Sequence, residues 1–306
     1  MDRLDAMHVL IAVVDAGSLS AAARRLGMPL ATVSRKVNDL ESHLKTRLLT
    51  RSTRQLTLTE AGESYVAACR RILDEVGEAE RAATGEYRAP RGELAITAPV
   101  VFGRLHVLPV VAEFLAQFPE IGVRLMLADS VVNLLEDHVD AAVRIGELPD
   151  SALVATRVGT MRRVVCASPA YLAQHGTPAH PDDLAAHACI ASNGFSSARA
   201  WTFRVGKETI SPPLRSRLLL NTPEAAIDAA LLGIGLTRVL SYQVAAAVRE
   251  GKLALVLEDF EPPAWPVSLV HAGQAPLPLK LRAFLDFAAP RLRARLEAVR
   301  LGKGGV

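Results

Sequence analysis

The sequence predicts an α/β protein preceded by an N-terminal all-α winged helix-turn-helix, and three observations carry that prediction. Apolar residues recur at helical spacing in two short adjacent runs, with Leu19, Ala22, Ala23 and Leu26 in the first and Val33, Val37, Leu40 and Leu44 in the second. From Arg24 to Arg54 eight basic residues face two acidic ones, +6 in a chain whose total is only +3. From Glu93 onward, short β-prone runs alternate with helical ones, the pattern of sheets covered by helices.

The first helix carries Leu4, Met7, Leu10, Ile11 and Val14 on one face and stops near Gly17, where Ser18 can cap the next helix. Gly27-Met28-Pro29 ends that second helix, since glycine accepts a left-handed cap and proline cannot extend the helix. So short a connection forces the helices to cross at a large angle. Beyond the exposed first turn, Leu30 and Ala31, the next helix turns Thr32, Ser34, Arg35, Lys36 and Asn38 to solvent. These groups suit base edges and phosphates of duplex DNA, and basic charge concentrated in one segment is the footprint of a polyanion binder.

The runs 47–50 and 55–58 flank a polar turn and read as a hairpin with Arg51 and Arg54 at its tip. Beside a recognition helix this hairpin is a wing whose arginines meet phosphate or minor groove; alone it is an ordinary solvated turn. Thr59 then caps a helix extending to about Thr84, with apolar positions 61, 65, 69, 72, 76, 79 and 83 in a stripe that calls for a partner helix. Residues 88–92, RAPRG, read as a linker.

Strands are expected at GELAITAP, VRLMLAD, DAAVRIG, VVCAS, ACIAS, WTFRV, RLLLN, LALVLEDF and VSLVH. Helices are expected at 104–118, 223–232, 242–250 and 279–301, around largely parallel sheet with ligands at the strands' carboxyl ends. Three widely spaced cysteines, Cys69, Cys166 and Cys189, argue against a disulfide framework. The N-terminus reads as no leader and no later segment as a membrane span, which together place the chain in the cytoplasm.

The N-terminal run resembles the LysR-type transcriptional regulators. The matching residues are Ser18, Ala22-Ala23, Leu26-Gly27, Val33-Ser34-Arg35, Leu40-Glu41, Leu44, Arg47-Leu48 and Leu58-Thr59-Glu60-Ala61-Gly62. DAAVRIG at 140–146, SPAYLAQHG at 168–176, GIGL at 233–236 and GKLALVL at 251–257 extend the resemblance in order. It implies a DNA-binding domain at 1–59 and a dimerising linker helix and hinge at 60–90. The rest, 91–306, becomes an effector-binding module of two subdomains hinged like a periplasmic binding protein. Subdomain I would hold 91–161 plus 267–306, and subdomain II 162–266. The partners implied are promoter operator DNA, a small-molecule effector, here expected to be an organic anion, and further copies of the chain as dimer or tetramer. Strand-end geometry and the resemblance together nominate Thr97, Ala98, Pro99, Val100, Ser130, Arg144, Asn193, Asn221, Thr222 and Arg238 as effector contacts. The chain departs from the family pattern at Lys45, usually glycine, at Leu49, usually aromatic, and at Pro29, usually serine.

An enzyme in the cleft and an architectural DNA-bending protein are the competing readings. Gly233-Ile234-Gly235 lacks a third glycine, and neither a phosphate-binding loop nor a nucleophile elbow is present. His175, His180, His187 and Cys189 fit no standard zinc spacing, so no metal or cofactor is expected. Arg144, at the end of an apolar strand, needs either an anionic effector or a salt bridge with an acid such as Asp129 or Glu147.

Overall fold

The computed structural model describes residues 2–51, 56–83, 89–130, 132–134, 137–148, 153–192, 201–273 and 277–302. They form two compact units, Met1–Ala89 and Pro90–Val306.

In the first unit α1 (Arg3–Ala16), α2 (Leu19–Leu26) and α3 (Leu30–Leu44) all end on left-handed residues. Two of these are glycines, Gly17 and Gly27; the third is Lys45, at φ 52°. The Ser18 hydroxyl accepts from Ala21 N at 3.1 Å, starting α2 where α1 has just stopped. Val9, Leu10, Ala22, Val33, Val37 and Leu40 bury together, each large side chain worth about 1.5–3 kcal/mol. Strands β1 (Leu49–Arg51) and β2 (Leu56–Leu58) pair antiparallel. The tip of this hairpin, 52–55, lies outside the described residues, and so does the predicted contact residue Arg54.

Helix α4 (Glu60–Ala83) follows, and part of its expected stripe is used inside the unit. Val66 and Cys69 are buried and Tyr65 packs on the core, because α4 lies against α1. The stripe position Ala61 is exposed instead. Beyond Cys69 the stripe is uncovered as well, with Ile72 exposed and Val76 half-buried.

The second unit holds two five-stranded sheets. In the first, β3 (Gly92–Ala98) lies between β4 (Ile121–Leu127) and β5 (Ala141–Ile145), all parallel, and β14 (Trp265–Ala272) and β6 (Leu153–Met161) complete it antiparallel. The second orders β11 (Ser216–Leu220), β8 (Cys189–Ser192), β12 (Leu236–Leu240), β7 (Arg163–Ala167) and β13 (Ala254–Val256) in the same way. The sheets are therefore mixed rather than largely parallel. The chain leaves one sheet at Met161 and enters the other at Arg163, then returns at Trp265, so the crossing strands run against their neighbours. WTFRV is not in either sheet: β9 (Phe203–Val205) pairs with β10 (Glu208–Ile210) as a separate hairpin.

Helix α5 spans Val100–Gln117, starting four residues before its expected position and passing through a π-helical segment, Gly103–Val107. Its length and hydropathy would suffice to cross a membrane, though it carries Arg104 and Glu113. Here it is a core helix, since Phe102, Val107, Val110, Val111 and Phe114 bury against the first sheet and α9 (Leu279–Ala298). Helices α6 (Pro169–His175), α7 (Pro223–Leu231) and α8 (Ser241–Arg249) accompany the second sheet.

Candidate functional site

Two sites emerge, one in each unit. On the first, α3 buries Val33, Val37 and Leu40 and so presents Leu30, Ala31, Arg35 and Asn38 to solvent. Thr32 and Ser34 are half-buried beside them. Pro29 offers no side-chain acceptor to the first turn of α3, which leaves the leading amides of Leu30 and Ala31 open to a phosphate oxygen. Leu30, half exposed, presents an apolar group suited to a thymine methyl. Ser18, expected as a DNA contact, accepts from Ala21 N as the α2 cap, and its hydroxyl lies 3.4 Å from that of Ser20. Lys36 is the exception among the candidates: it is half-buried and ion-paired with Asp5 of α1, which ties α3 to its support.

The wing is fastened to this helix from below. Glu41 is buried, and its Oε1 accepts from the backbone N of Leu48 at 2.7 Å and of Leu49 at 3.0 Å. The Thr59 hydroxyl donates to the Arg47 carbonyl at 2.8 Å and accepts from Gly62 N at 2.9 Å, joining β1 to the start of α4. At Gly62 a Cβ would stand 2.0 Å from the Leu48 carbonyl oxygen, so only glycine lets α4 approach β1 this closely. The Arg51 side chain lies outside what is described, as Arg54 does.

The second candidate site lies at strand ends of the other unit. Strands β4, β3 and β5 run parallel in one sheet and β11, β8 and β12 in the other, so each set delivers its carboxyl ends to one edge of its own sheet. On one side stand Thr97 and Ala98, both buried, then Pro99, Val100 and the exposed Ser130. Val100 N donates to Asp129 at 3.0 Å, occupying that carboxylate. Asn221 and Thr222 follow β11 on the other side, the latter capping α7 through Ala225 N; Asn193 lies outside the described residues.

Arg144 forms no salt bridge with Asp129 or Glu147 among the described residues. Its guanidinium is half-buried and donates to the Val132 carbonyl at 2.5 Å, a neutral acceptor that satisfies geometry but not charge. Burial lowers its pKa from the ordinary arginine value. Arg238 donates to the Thr202 carbonyl at 2.9 Å, above the rings of Trp201 and Phe203 at 5.9 and 6.0 Å. Burial, then the charge of Arg163, brings it down to about 10.

The sequence reading missed three residues of this module. Tyr242 from α8 packs edge-on against Phe102 and His106 of α5, with centroids 5.4 Å apart in both cases. Burial, and to a lesser degree Arg295, holds the His106 imidazole down at about 4. The third is Arg163. Its signal was present, a cation heading the apolar strand VVCAS, but only strand pairing reveals its neighbours.

Residues 4–63 match the family model for the bacterial regulatory helix-turn-helix protein, lysR family, and residues 88–293 match the LysR substrate binding domain. The chain belongs to the LysR family of transcriptional regulators. Among curated relatives, an HTH-type transcriptional regulator of Xanthomonas campestris is 38% identical over 288 residues, 93% of this chain and 84% of the relative. An HTH-type transcriptional repressor of Pseudomonas aeruginosa is 35% identical, covering 94% of this chain and 91% of that one. Among solved structures the LysR-type regulator CrgA from Neisseria meningitidis superposes with a TM-score of 0.60 at 33% identity, covering 94% of this chain and 98% of CrgA. As a LysR-type regulator the chain is not an enzyme, and its two sites belong to a DNA-binding helix-turn-helix and a substrate-binding module.

Proposed function

We propose that this regulator binds promoter operator DNA as a homo-oligomer in the cytoplasm and responds to a small organic anion held in the cleft between its two α/β subdomains. The observation that carries the DNA half is α3. A helix fixed by three fully buried apolar residues offers Arg35 and Asn38 outward and leaves its first turn uncapped at a phosphate-ready end. Arg35 enters the major groove and reads a base, with Leu30, Ala31, Thr32 and Ser34 alongside, while Arg51 and Arg54 on the wing meet phosphate. The uncovered stripe at Ile72 and Val76 is the seam at which linker helices pair.

The effector half rests on the strand ends, where half-buried cations and a buried hydroxyl stand without acidic neighbours in ion-pair contact among the described residues. Two measurements test the reading. The full chain titrated against DNA enriched from a random pool should prefer it over unselected DNA by about a thousandfold or more at physiological salt. Equal affinity for both would reduce it to an architectural protein. In a thermal-shift screen of metabolites, an effector at a hundred times its dissociation constant adds about 2.7 kcal/mol. A screen with no stabilising compound would remove the effector.

A further inference from the structure

Consecutive arginines at the hinge have opposite surroundings. Arg162 is held by Glu258 at 2.5 Å, by Glu261 at 2.6 Å and by the Leu301 carbonyl at 3.0 Å. Those two carboxylates raise its pKa above the ordinary arginine value. Arg163 has no acid among the described residues, and its Nε is buried without an acceptor. Its guanidinium lies 4.2 Å over the ring of Trp265, the first residue of the returning strand β14.

Strand register places a second cation beside it. Leu240 pairs with Arg163 and Arg238 with Val165, so Arg163 and Arg238 leave the same face of the sheet from diagonal positions, with about 7–8 Å expected between such neighbours. Both stand where β12 delivers its carboxyl end and β7 begins, at the cleft edge. Arg163 lies over one ring and Arg238 beside two, and Arg238 spends one Nη on the Thr202 carbonyl, so its other guanidinium nitrogens and those of Arg163 are available to a planar acceptor. Two half-buried like charges without a counter-charge are costly, and burial lowers both from their ordinary values. Among the described residues no acid pairs with either guanidinium, so a cation pair of this kind calls for an anion from outside.

We propose that Arg163 and Arg238 form the anion-recognition subsite of the cleft and that the effector presents a carboxylate to both. This deepens the effector reading above and depends on it. It also gives the ligand a route to the hinge, since Arg163 adjoins the residue that ties the crossing to Glu258 and Glu261.

The chain contains two tryptophans, Trp201 and Trp265, and they are the rings beneath Arg238 and Arg163, so intrinsic fluorescence of the full-length protein reports on this subsite. The probes are monocarboxylates from acetate to phenylacetate, each beside its neutral amide and inorganic phosphate at matched ionic strength. The expected result is a saturable response to at least one carboxylate, absent with its amide and weakened roughly tenfold or more by Arg163→Gln and by Arg238→Gln separately. Retained thermal unfolding of both variants excludes misfolding. If one fails to fold, Arg→Lys, which keeps the charge and loses the planar fork, should fold and still bind more weakly. Equal responses to amide and carboxylate, a response to phosphate alone, no response to any carboxylate, or full affinity in both glutamine variants would each overturn the subsite. A neutral metabolite that stabilises the protein would leave the effector reading standing while overturning this one.

Discussion

In the N-terminal unit the buried carboxylate of Glu41 accepts two backbone N–H groups, and the Thr59 hydroxyl both donates and accepts. In the C-terminal module Thr97 Oγ1, His106 Nε2 and Arg163 Nε are buried and meet no hydrogen-bond partner among the described residues, and the buried Tyr242 hydroxyl has only its neighbour Gln243 beside it. They are not scattered: they belong to strand ends, hinge and helices that flank one junction between the two sheets. The difference follows from what each unit receives. A reader of duplex DNA presents its cations outside, where a polyanion meets them. A module that takes up a small molecule leaves polar groups unmatched where the ligand is to sit, because those groups are what the ligand completes.

The harshest way to break the first side of this comparison is Gly62→Ala, which drives a methyl into the Leu48 carbonyl oxygen. Neither partner is the end of a flexible side chain, so the cost should be about 3 kcal/mol or more. Both tryptophans lie in the C-terminal module, so fluorescence-detected unfolding should stay unchanged while far-ultraviolet dichroism and DNA binding show the N-terminal unit lost. A wild-type dichroism curve would show that α4 moves aside from β1 at little cost.

On the other side of the comparison, His106 sharpens the account of the junction. The unfolded imidazole takes up a proton below about 6.5, whereas the folded one, buried against Phe102 and Tyr242, resists protonation until about 4. Protons then bind preferentially to the unfolded chain between these values. Its contribution is therefore complete above pH 6.5 and lost as the pH falls to 4, by up to about 3 kcal/mol. His106→Phe should remove this component, so denaturant unfolding at pH 7 and pH 4.5 should differ less in the variant than in the wild type. Equal pH dependence in both would place the titration elsewhere.

How much of this could be read in advance depended on the range of the interactions. Helices α1 to α3 were legible because their apolar residues recur within a single helix and Gly17, Ser18 and Gly27 mark the ends locally. Sheet direction was not, because β14 reaches its partners β5 and β6 from the far side of the other subdomain. The strand β6 itself was missed, since VATRVG is mostly outward-facing and sets its two polar residues, Thr156 and Arg157, side by side, so it lacks the alternation that marks a half-buried strand. In the same way Lys36 reads as a free cation until α1 brings Asp5 against it, and Arg163 is ordinary until register sets it diagonal to Arg238.

Arg35 carries a smaller effect than either stability change. It is exposed on α3 and makes no ion pair or hydrogen bond among the described residues, so its removal perturbs recognition and not folding. Arg35→Ala should cost about 1–3 kcal/mol on the preferred operator and much less on random DNA, measured by titration at several salt concentrations. Equal weakening of both would make it a phosphate contact and move base reading to Thr32, Ser34 or Asn38.

The smallest effect lies at the cap of the same helix. Lys45 ends α3 at φ 52°, and its backbone N donates to the carbonyls of Glu41 and Ser42, so the position carries the left-handed closure that Gly17 and Gly27 supply for α1 and α2. A side chain there crowds its own carbonyl, a strain of about 1 kcal/mol that glycine does not meet. Glycine also gains freedom in the unfolded chain, which offsets part of that relief. Lys45→Gly should therefore stabilise the N-terminal unit by only about 0.5 kcal/mol in dichroism-detected unfolding. The lost cation should at the same time flatten the salt dependence of DNA binding if Lys45 meets phosphate, by about one unit of slope per contact. Stability and salt slope separate two reasons for a lysine at this cap. A gain in stability with an unchanged slope makes the lysine a plain departure from the best cap, whereas a gain with a flattened slope shows helix closure traded for grip on the DNA backbone. A loss of stability would overturn the strain argument, because it would mean that the lysine side chain holds the end of α3 against the wing.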